Sequence, residues 1–452
     1  MKLTVYLEPL GCPKNLIDSE TMLGLVEKDG FILSDDPNDA EIVIVNTCGF
    51  INDAKEESID KIIELGYLKN NKLKLLVVAG CLAERYQSVL KKELPEIDVI
   101  LGTGNVNEIV DAINLGIEVL NKEKGDSVII KAGDISRTIP ESMPRKLLTP
   151  KHTAYLKISD GCDNICAYCI IPSLRGKYRS RKMENIVEEA QKLSQDGVKE
   201  IILVAQDTTR YGIDVYNKLM LPELLRQLNE VQGVRWIRLL YAYPEMITDE
   251  LIDTIAKCEK VCNYIDMPIQ HSSDEILSKM NRRSTKEMLV TVIKKLRSKI
   301  PDITIRTTLI VGFPGEKQEH FADLEAFVKE SKFDRLGVFS YSKEEGTLAE
   351  TFDFQIEERV KEERKNRIME IQQTISLHNN KMKIGKTFDV IIEEVLENNE
   401  YLGRTSADAP EIDGAVYFYS RASRNIGDIV TVVINNAIEY DLMGEETDEF
   451  SQ

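Results

Sequence analysis

Along residues 1–120, short apolar runs rich in β-branched side chains alternate with stretches whose apolar positions recur every three or four residues. The segments LTVYLEP, EIVIVNT, LKLLVVAG and IDVILG read as strands, and SETMLGLVEKDG and AKEESIDKIIELGYL read as helices. Strands that alternate with helices predict a parallel sheet. Over residues 121–147 the pattern lapses, and Pro140 and Pro144 punctuate a predicted hairpin or linker. From 148 to 382 the alternation resumes with AYLKIS, EIILVAQ, WIRLLYAY, YIDMPIQ, TIRTTLIVGF and RLGVFSYS. Six such units predict a partial, open (β/α)6 form of the barrel whose sites lie on the loops after the strands. Residues 356–382 read as one long charged helix. Over 383–452 the runs FDVIIEEV, YLGRTSA, GAVYFYS and DIVTVVIN are β-like, with turns at Asn398 and Asn399 and at Asp413 and Gly414. A small antiparallel β-barrel of the oligonucleotide-binding type follows. The expected class is therefore α/β, with a parallel-sheet domain, a central partial barrel and a terminal small barrel.

Charge changes this picture at one end of the chain. The formal net charge is −18, and residues 383–452 carry five Lys or Arg against fifteen Asp or Glu, a net of −10. A nucleic-acid module is expected to present a basic face, so direct nucleic-acid binding is not favoured and a basic protein partner is. The plainer reading is that acidic residues keep the surface soluble. No run of about 18 apolar residues occurs, so no membrane span is expected. The opening MKLTVYLEPLGC reads as a first strand and not as a signal peptide, which predicts a cytoplasmic protein.

The cysteines supply the candidate chemistry. A chain of this size builds a core without disulfides, and clustered cysteines in a reducing compartment more often hold metal. In CDNICAYC at 162–169, Cys162, Cys166 and Cys169 follow the first strand of the second domain. Three thiolates so spaced hold three irons of a [4Fe–4S] cluster and leave the fourth iron open to a substrate. Zinc is the competing reading, but it usually takes four ligands, and none of the four histidines lies beside this triplet. Cys12, Cys48 and Cys81 fall just after the first, second and third predicted strands, at the edge where open parallel sheets build their sites. Their turn-like settings predict a second three-cysteine cluster site, against three buried apolar cysteines as the alternative. Cys258 and Cys262 share a helix-like stretch and read as packing residues, as does Trp236.

Three further segments sit at strand ends, and a fourth lies just after the 162–169 loop. IVGFPGE at 310–316 holds Gly312 and Gly315, which permit close backbone approach by an adenine or a ribose. AQDTTRYG at 205–212 puts Gln206 and Asp207 at a strand mouth, and His271 ends another. Each is equally compatible with an ordinary turn or a hydrogen-bonded histidine. Arg175, Arg179 and Arg181 crowd PSLRGKYRSR, either to bind a carboxylate and steer a substrate or as a solvated basic loop.

The segment at 162–169, with Tyr168 before its third cysteine, resembles the signature of radical S-adenosylmethionine enzymes. The resemblance implies that the open iron is chelated by the amino and carboxylate groups of S-adenosylmethionine. It further implies that an electron from the cluster releases a 5′-deoxyadenosyl radical able to take hydrogen from an unactivated carbon. It implies a cofactor pocket formed by Tyr168, Gln206, Asp207, His271, Gly312 and Glu316. The order of a three-cysteine domain (1–120), a radical core (148–382) and a TRAM-like β-domain (383–452) resembles the methylthiotransferase family over almost the whole chain. LGCPKNLIDSE at 10–20, the segment 205–212, MPIQHSSD at 267–274 and APEIDG at 409–414 are similar to the branch that modifies a small-subunit ribosomal protein. The transfer RNA branch usually carries GCQMN where this chain has GCPKN. That branch implies a methylthio group placed on the β-carbon of one aspartate in small-subunit ribosomal protein twelve. It implies two [4Fe–4S] clusters on six catalytic cysteines, two molecules of S-adenosylmethionine, an external electron donor and a sulfide source. Methylthiolation of transfer RNA adenosine and a non-catalytic iron–sulfur redox sensor are the alternatives.

Overall fold

A computed structural model describes residues 2–122, 128–133, 135–137, 139 and 141–447; Pro140 and residues 448–452 lie outside the described residues. The first sheet holds six parallel strands: β1 (Thr4–Pro9), β2 (Ile32–Leu33), β3 (Ile42–Thr47), β4 (Leu75–Gly80), β5 (Val99–Leu101) and β6 (Ile129–Lys131). Their order is β2-β1-β3-β4-β5-β6. Every residue of β3 and β4 is buried, because helices cover both faces of the sheet. Helices Pro13–Asp29 and Ile109–Asn121 pack on the face of Val5, Ile42, Ile44 and Val77. Helix Asn52–Gly66 covers Val43, Val45, Leu76 and Val78. The strand order reverses between β1 and β3, which opens a crevice at their carboxyl ends.

Of the hairpin or linker expected over 121–147, no hairpin forms among the described residues. Ile129–Lys131 runs parallel to β5 and extends the sheet instead. The chain then crosses helix Pro13–Asp29, where Lys146 N donates to Glu20 O at 2.9 Å.

The central domain contributes β7 (Thr153–Lys157), a short hairpin of β8 (Ser159–Asp160) and β9 (Arg179–Ser180), then β10 (Glu200–Val204), β11 (Trp236–Leu239), β12 (Tyr264–Asp266), β13 (Thr304–Val311) and β14 (Arg335–Ser340). β7, β10 and β11 form one parallel sheet and β12, β13 and β14 another. A parallel bridge between Ile237 and Val261 joins them, giving six strands curved into an open barrel. Alternation sends Leu156, Leu203, Ile237 and Ile265 outward to the helices, and Tyr155, Ile202, Trp236 and Tyr264 inward. Cys262 packs among the inward group beside Trp236. Helix Glu358–Lys381 packs along β14 through Ile368 and Ile371.

The terminal domain closes a five-stranded barrel from β15 (Thr387–Val395), β16 (Glu400–Thr405), β17 (Val416–Tyr419), β18 (Ile429–Ala437) and β19 (Leu442–Glu446). Four seams are antiparallel, and β17 pairs with β19 in parallel. Asn398 and Asn399 turn the first hairpin with φ of 58° and 60°, a conformation asparagine tolerates. This barrel plugs the amino-terminal mouth of the open barrel. Ile391 and Ala409 pack against Trp236 and Tyr264, Arg238 bonds Glu200 at 2.8 Å, Arg404 also grips Glu200, and Arg335 bonds Asp408 at 2.5 Å. Tyr264 Oη donates to Asp413 at 2.7 Å. Part of the terminal domain's acidity therefore faces inward and holds the domains together. Among the described residues no helix is long and apolar enough to cross a membrane.

Candidate active site between two sheet edges

Cys12 caps the amino terminus of helix Pro13–Asp29, Cys48 follows β3, and Cys81 opens helix Cys81–Arg85 directly after β4. The first two flank the crevice where the strand order reverses. A Cβ at Gly11 would lie 2.8 Å from Cys48 Cβ and 3.2 Å from its Sγ, so the chain at Cys12 runs against Cys48. Cys81 Sγ sits 3.6 Å from Asn15 Oδ1, and Cys48 N donates to Ser58 Oγ at 3.0 Å. Burial pushes the Cys81 thiol up to about 12 despite Arg175, and the charges of Cys12 and Cys48 add to the rise. Burial also raises Cys48. At Cys12 burial is outweighed by Lys14 and Arg175, which hold its thiol below the ordinary range.

The second trio lies on the loop after the β8 strand. Cys162 N donates to Gly176 O at 3.1 Å, Cys169 N to Cys166 O at 3.0 Å, and Ala167 is pinned on both sides by Met280 O and Ala349 N. Tyr168 packs with Ile310, Phe313 and Tyr341 from the ends of β13 and β14. Cys166 Sγ lies 3.9 Å from Tyr243 Oη. Burial raises Cys162 to about 11, and burial with the charges of Cys166 and Cys162 raises Cys169 further.

The two trios face each other across the domain seam. Cys81 packs on Ile170 and Leu174, immediately beyond Cys169. Lys14 acts electrostatically on both Cys12 and Cys169, and its Nζ stands 3.6 Å over the ring of Tyr241. Arg175 Nη2 donates to Asn15 Oδ1 at 2.7 Å and Asp18 Oδ2 at 2.8 Å, while Nη1 reaches Asp160 at 3.2 Å. Lys157 bonds Asp18 at 2.5 Å. On the far side Glu344 binds Lys55 at 2.8 Å and Arg85 at 3.2 Å, tying the loop after β14 to the loops of Cys48 and Cys81.

Three family models match: the uncharacterized protein family UPF0004 over residues 4–102, the radical SAM superfamily over 156–328 and the TRAM domain over 384–446. The ribosomal protein uS12 methylthiotransferase RimO of Clostridioides difficile (strain 630) is 52% identical over 444 residues, covering 98% of both chains. The protein of that name from Thermoanaerobacter sp. (strain X514) is 51% identical over 436 residues, 96% of this chain and 98% of its own. The chain belongs to the ribosomal protein uS12 methylthiotransferase family. Among solved structures, the radical S-adenosylmethionine methyltransferase TsrM from Kitasatospora setae shares the fold, with a TM-score of 0.55, 16% identity and 75% of each chain covered.

Membership of the radical SAM superfamily implies a [4Fe–4S] cluster and S-adenosylmethionine. The sequence-derived pocket residues divide into two groups. Gln206 and Asp207 stand beside the second cysteine loop. Gln206 Nε2 donates to Asp160 at 3.0 Å, and its buried Oε1 has no partner among the described residues. Asp207 accepts from Asn164 Nδ2 at 2.9 Å and from Thr209, and burial pushes its carboxyl up. His271, Gly312 and Glu316 gather instead near Arg364 on the long helix. Glu316 accepts from Gly312 N at 2.6 Å, Phe313 N at 3.2 Å and Arg364 at 2.9 Å. It thereby closes the turn whose Gly312 (φ +72°) leaves room for Lys361 Cγ, 2.3 Å from where a Cβ would stand. His271 accepts from Ser273 N at 2.9 Å, and burial pushes it down to about 3.

The arginines after the second cysteine loop do not form the open basic knot expected from the sequence. Arg175 is buried and spent on Asp18 and Asp160, and Arg181 is buried and bonds Glu141 at 3.0 Å and Glu189 at 2.7 Å, so neither is a solvated charge awaiting a substrate carboxylate. Arg179 donates to the carbonyls of Lys177 and Arg175. Sequence reasoning missed Asn15, Asp18, Asp160, Lys157 and Tyr243. Asn15 and Asp18 stand three positions apart on the helix that Cys12 caps, which puts the two on one face, so that spacing was an available signal.

Proposed function

We propose that the chain places a methylthio group on the β-carbon of an aspartate in ribosomal protein uS12, the substrate named for its relatives. In this reading Cys162, Cys166 and Cys169 hold the cluster that binds S-adenosylmethionine, and Cys12, Cys48 and Cys81 hold a second [4Fe–4S] cluster. The observation that carries it is the opposition of two cysteine trios across one seam, with Cys81 packed on Ile170 beside Cys169. The donor set fits: all thiol, three per site, and no histidine among them. Among the described residues no three Cys, His, Asp or Glu side chains converge as ligands of one ion must. Three cysteines that each take a different iron are spaced more widely than that.

The bound groups supply one-electron cleavage of S-adenosylmethionine and a sulfur to be transferred. The chain's own residues set the stage. Arg175 and Lys14 place buried positive charge between the trios, which favours the thiolate forms that ligate metal. Asn15, donating to Leu10 O and Thr47 O, fixes the loops of Cys12 and Cys48 relative to each other. Tyr241 and Ile170 line the seam, Tyr241 beneath Lys14 and Ile170 against Cys81. We further propose that Gln206 and Asp207 border the cofactor, with Tyr168, His271, Gly312 and Glu316 supporting the loops around it. This chemistry calls for an external electron donor and a sulfide source, and a ribosomal-protein substrate is consistent with a cytoplasmic enzyme.

The test is a mass measurement. Anaerobically reconstituted protein is incubated with S-adenosylmethionine, reductant, sulfide and purified uS12. A gain of about 46 Da on uS12 is expected, because SCH3 replaces hydrogen. A gain on transfer RNA instead would move the substrate assignment to the nucleic acid.

A further inference from the structure

Resting on the proposed reaction, the geometry points to Lys14 as the anchor for the carboxylate of the aspartate that is modified. Its side chain lies inside the seam, 7% exposed, on the second residue of helix Pro13–Asp29. Its charge acts on a cysteine of each trio, Cys12 on one side and Cys169 on the other. A substrate carbon that must meet both a radical source and a sulfur donor has to stand between those two sites.

Lys14 differs from its neighbours in what surrounds it. Arg175 and Lys157, also buried at this seam, are both ion-paired with Asp18 and Asp160, Arg175 at 2.8 and 3.2 Å and Lys157 at 2.5 and 3.6 Å. Among the described residues Lys14 has no such carboxylate. Its Nζ stands instead 3.6 Å over the centre of the Tyr241 ring. An aromatic face attracts an ammonium through its quadrupole but does not neutralise it, so the charge and its N–H donors remain available to an anion. In a seam of low dielectric that charge favours a carboxylate strongly over a neutral group of the same shape.

The ring beneath it is held by a strained turn. Tyr241 follows β11 in the left-handed region, with φ 59°, which a bulky residue rarely adopts. Its N donates to Asp266 Oδ2 at 3.0 Å, and its carbonyl accepts from Thr208 N at 3.1 Å, so the two neighbouring strand ends fix the turn. Strain of this kind gathers where a side chain has to be aimed. Here it aims the ring at the helix that Cys12 caps. The β-carbon of an aspartate is bonded directly to its carboxylate carbon. An ammonium that grips the carboxylate therefore fixes the carbon that loses hydrogen and gains sulfur. The same contact discriminates, because asparagine has the shape of aspartate without its charge. No bond to Lys14 forms, and its proton stays on the nitrogen.

The experiment compares two substrates on each enzyme. Reconstituted full-length protein is given uS12, and uS12 in which the modified aspartate, located by mass spectrometry, is replaced by asparagine. The native protein should prefer aspartate by at least about tenfold in kcat/KM, the scale of one hydrogen bond to a charged group. Lys14→Met, of similar length and without charge, should bring that ratio to about one. Lys14→Arg keeps the charge and should keep a preference for aspartate. The ratio is internal to each variant, so a general loss of activity or iron cancels. Equilibrium binding of the two uS12 forms, which needs no turnover, should show the same pattern. Equal losses on both substrates in Lys14→Met overturn the proposal, because the ammonium then serves the fold or a different anion, and so does a native protein without preference. A native protein that adds no mass to uS12 overturns the substrate reading and this proposal together, whereas modification of uS12 with selectivity intact in Lys14→Met overturns this proposal alone.

Discussion

Arg175 Nη2 donates to Asn15 Oδ1 at 2.7 Å, a bond that joins the sheet edge of one three-cysteine site to that of the other. The same guanidinium bonds Asp18 at 2.8 Å and Asp160 at 3.2 Å with its side chain 2% exposed. Burial works against the charge of Arg175, but the two carboxylates prevail and hold it firmly protonated. Arg175→Met would leave the two buried carboxylates with Lys157 as their remaining ion-pair partner. A loss of about 3 kcal/mol or more is expected, read as a lower urea midpoint. Arg175→Lys should recover only part of it, because an ammonium cannot span an amide and two carboxylates as a planar fork does.

The two trios are separable by mutation. Replacing Cys162, Cys166 and Cys169 by Ala should abolish cleavage of S-adenosylmethionine and remove about half the iron. Replacing Cys12, Cys48 and Cys81 should also remove about half the iron, leave cleavage intact and stop methylthio transfer. Iron analysis beside 5′-deoxyadenosine and uS12 mass measurements checks both. Full iron in the second triple variant would dismiss those cysteines as ligands.

The positions of the cysteines were legible because parallel strands buried on both faces are continuous apolar runs, and each run ends where a cysteine begins a turn. β2, β6, β8 and β9 were not legible: two or three residues carry no measurable period. Nor were the partners of Arg175, since Asp18 is 157 positions away and only the docking of two sheets brings it near. Asp408 and Asp413 read as surface acidity in the sequence, yet they face arginines and a tyrosine of the central domain. A count of charges records their sign and not the direction in which they point. His271 and Glu316 lie at strand ends as the pattern requires, but backbone donors and Arg364 engage Glu316, a relation that depends on the long helix.

Gly80 and Gly161 each precede a cysteine of a different trio, and both require a left-handed backbone. Gly80 has φ +96°, with Asn46 Oδ1 2.4 Å and Thr47 O 2.5 Å from where a Cβ would stand. Gly161 has φ +78°, with Lys177 O at 2.1 Å. Backbone oxygens cannot swing aside as a side chain can, so alanine at either position displaces the loop. Gly80→Ala should reduce iron while sparing cleavage of S-adenosylmethionine. Gly161→Ala should reduce iron and cleavage together. The split between the two readouts distinguishes local damage at one site from general misfolding, which would depress both in both variants.

His271 makes folding sensitive to mild acid. Its ring is fully buried, accepts from Ser273 N at 2.9 Å through Nδ1, and is pushed down to about 3, first by burial and then by the neighbouring His320 charge. Glu316 Oε2 stands 4.0 Å from Nε2 but is already engaged by Gly312 N and Phe313 N, and Arg364 holds the other oxygen. In the unfolded chain the imidazole titrates near about 6.5. The depressed folded value means that the unfolded chain binds the extra proton first. The contribution is fully present above about pH 6.5 and is lost as pH falls from there toward 3, at up to about 1.4 kcal/mol per pH unit. His271→Gln keeps an acceptor for Ser273 N and removes the titration. Urea unfolding at pH 7 and pH 5.5, above most of the carboxylate range, should show the native protein losing about 1 kcal/mol more than the variant over that interval. Equal losses would mean that the ring carries its proton in the folded state, and the neutral, buried reading of His271 would fail.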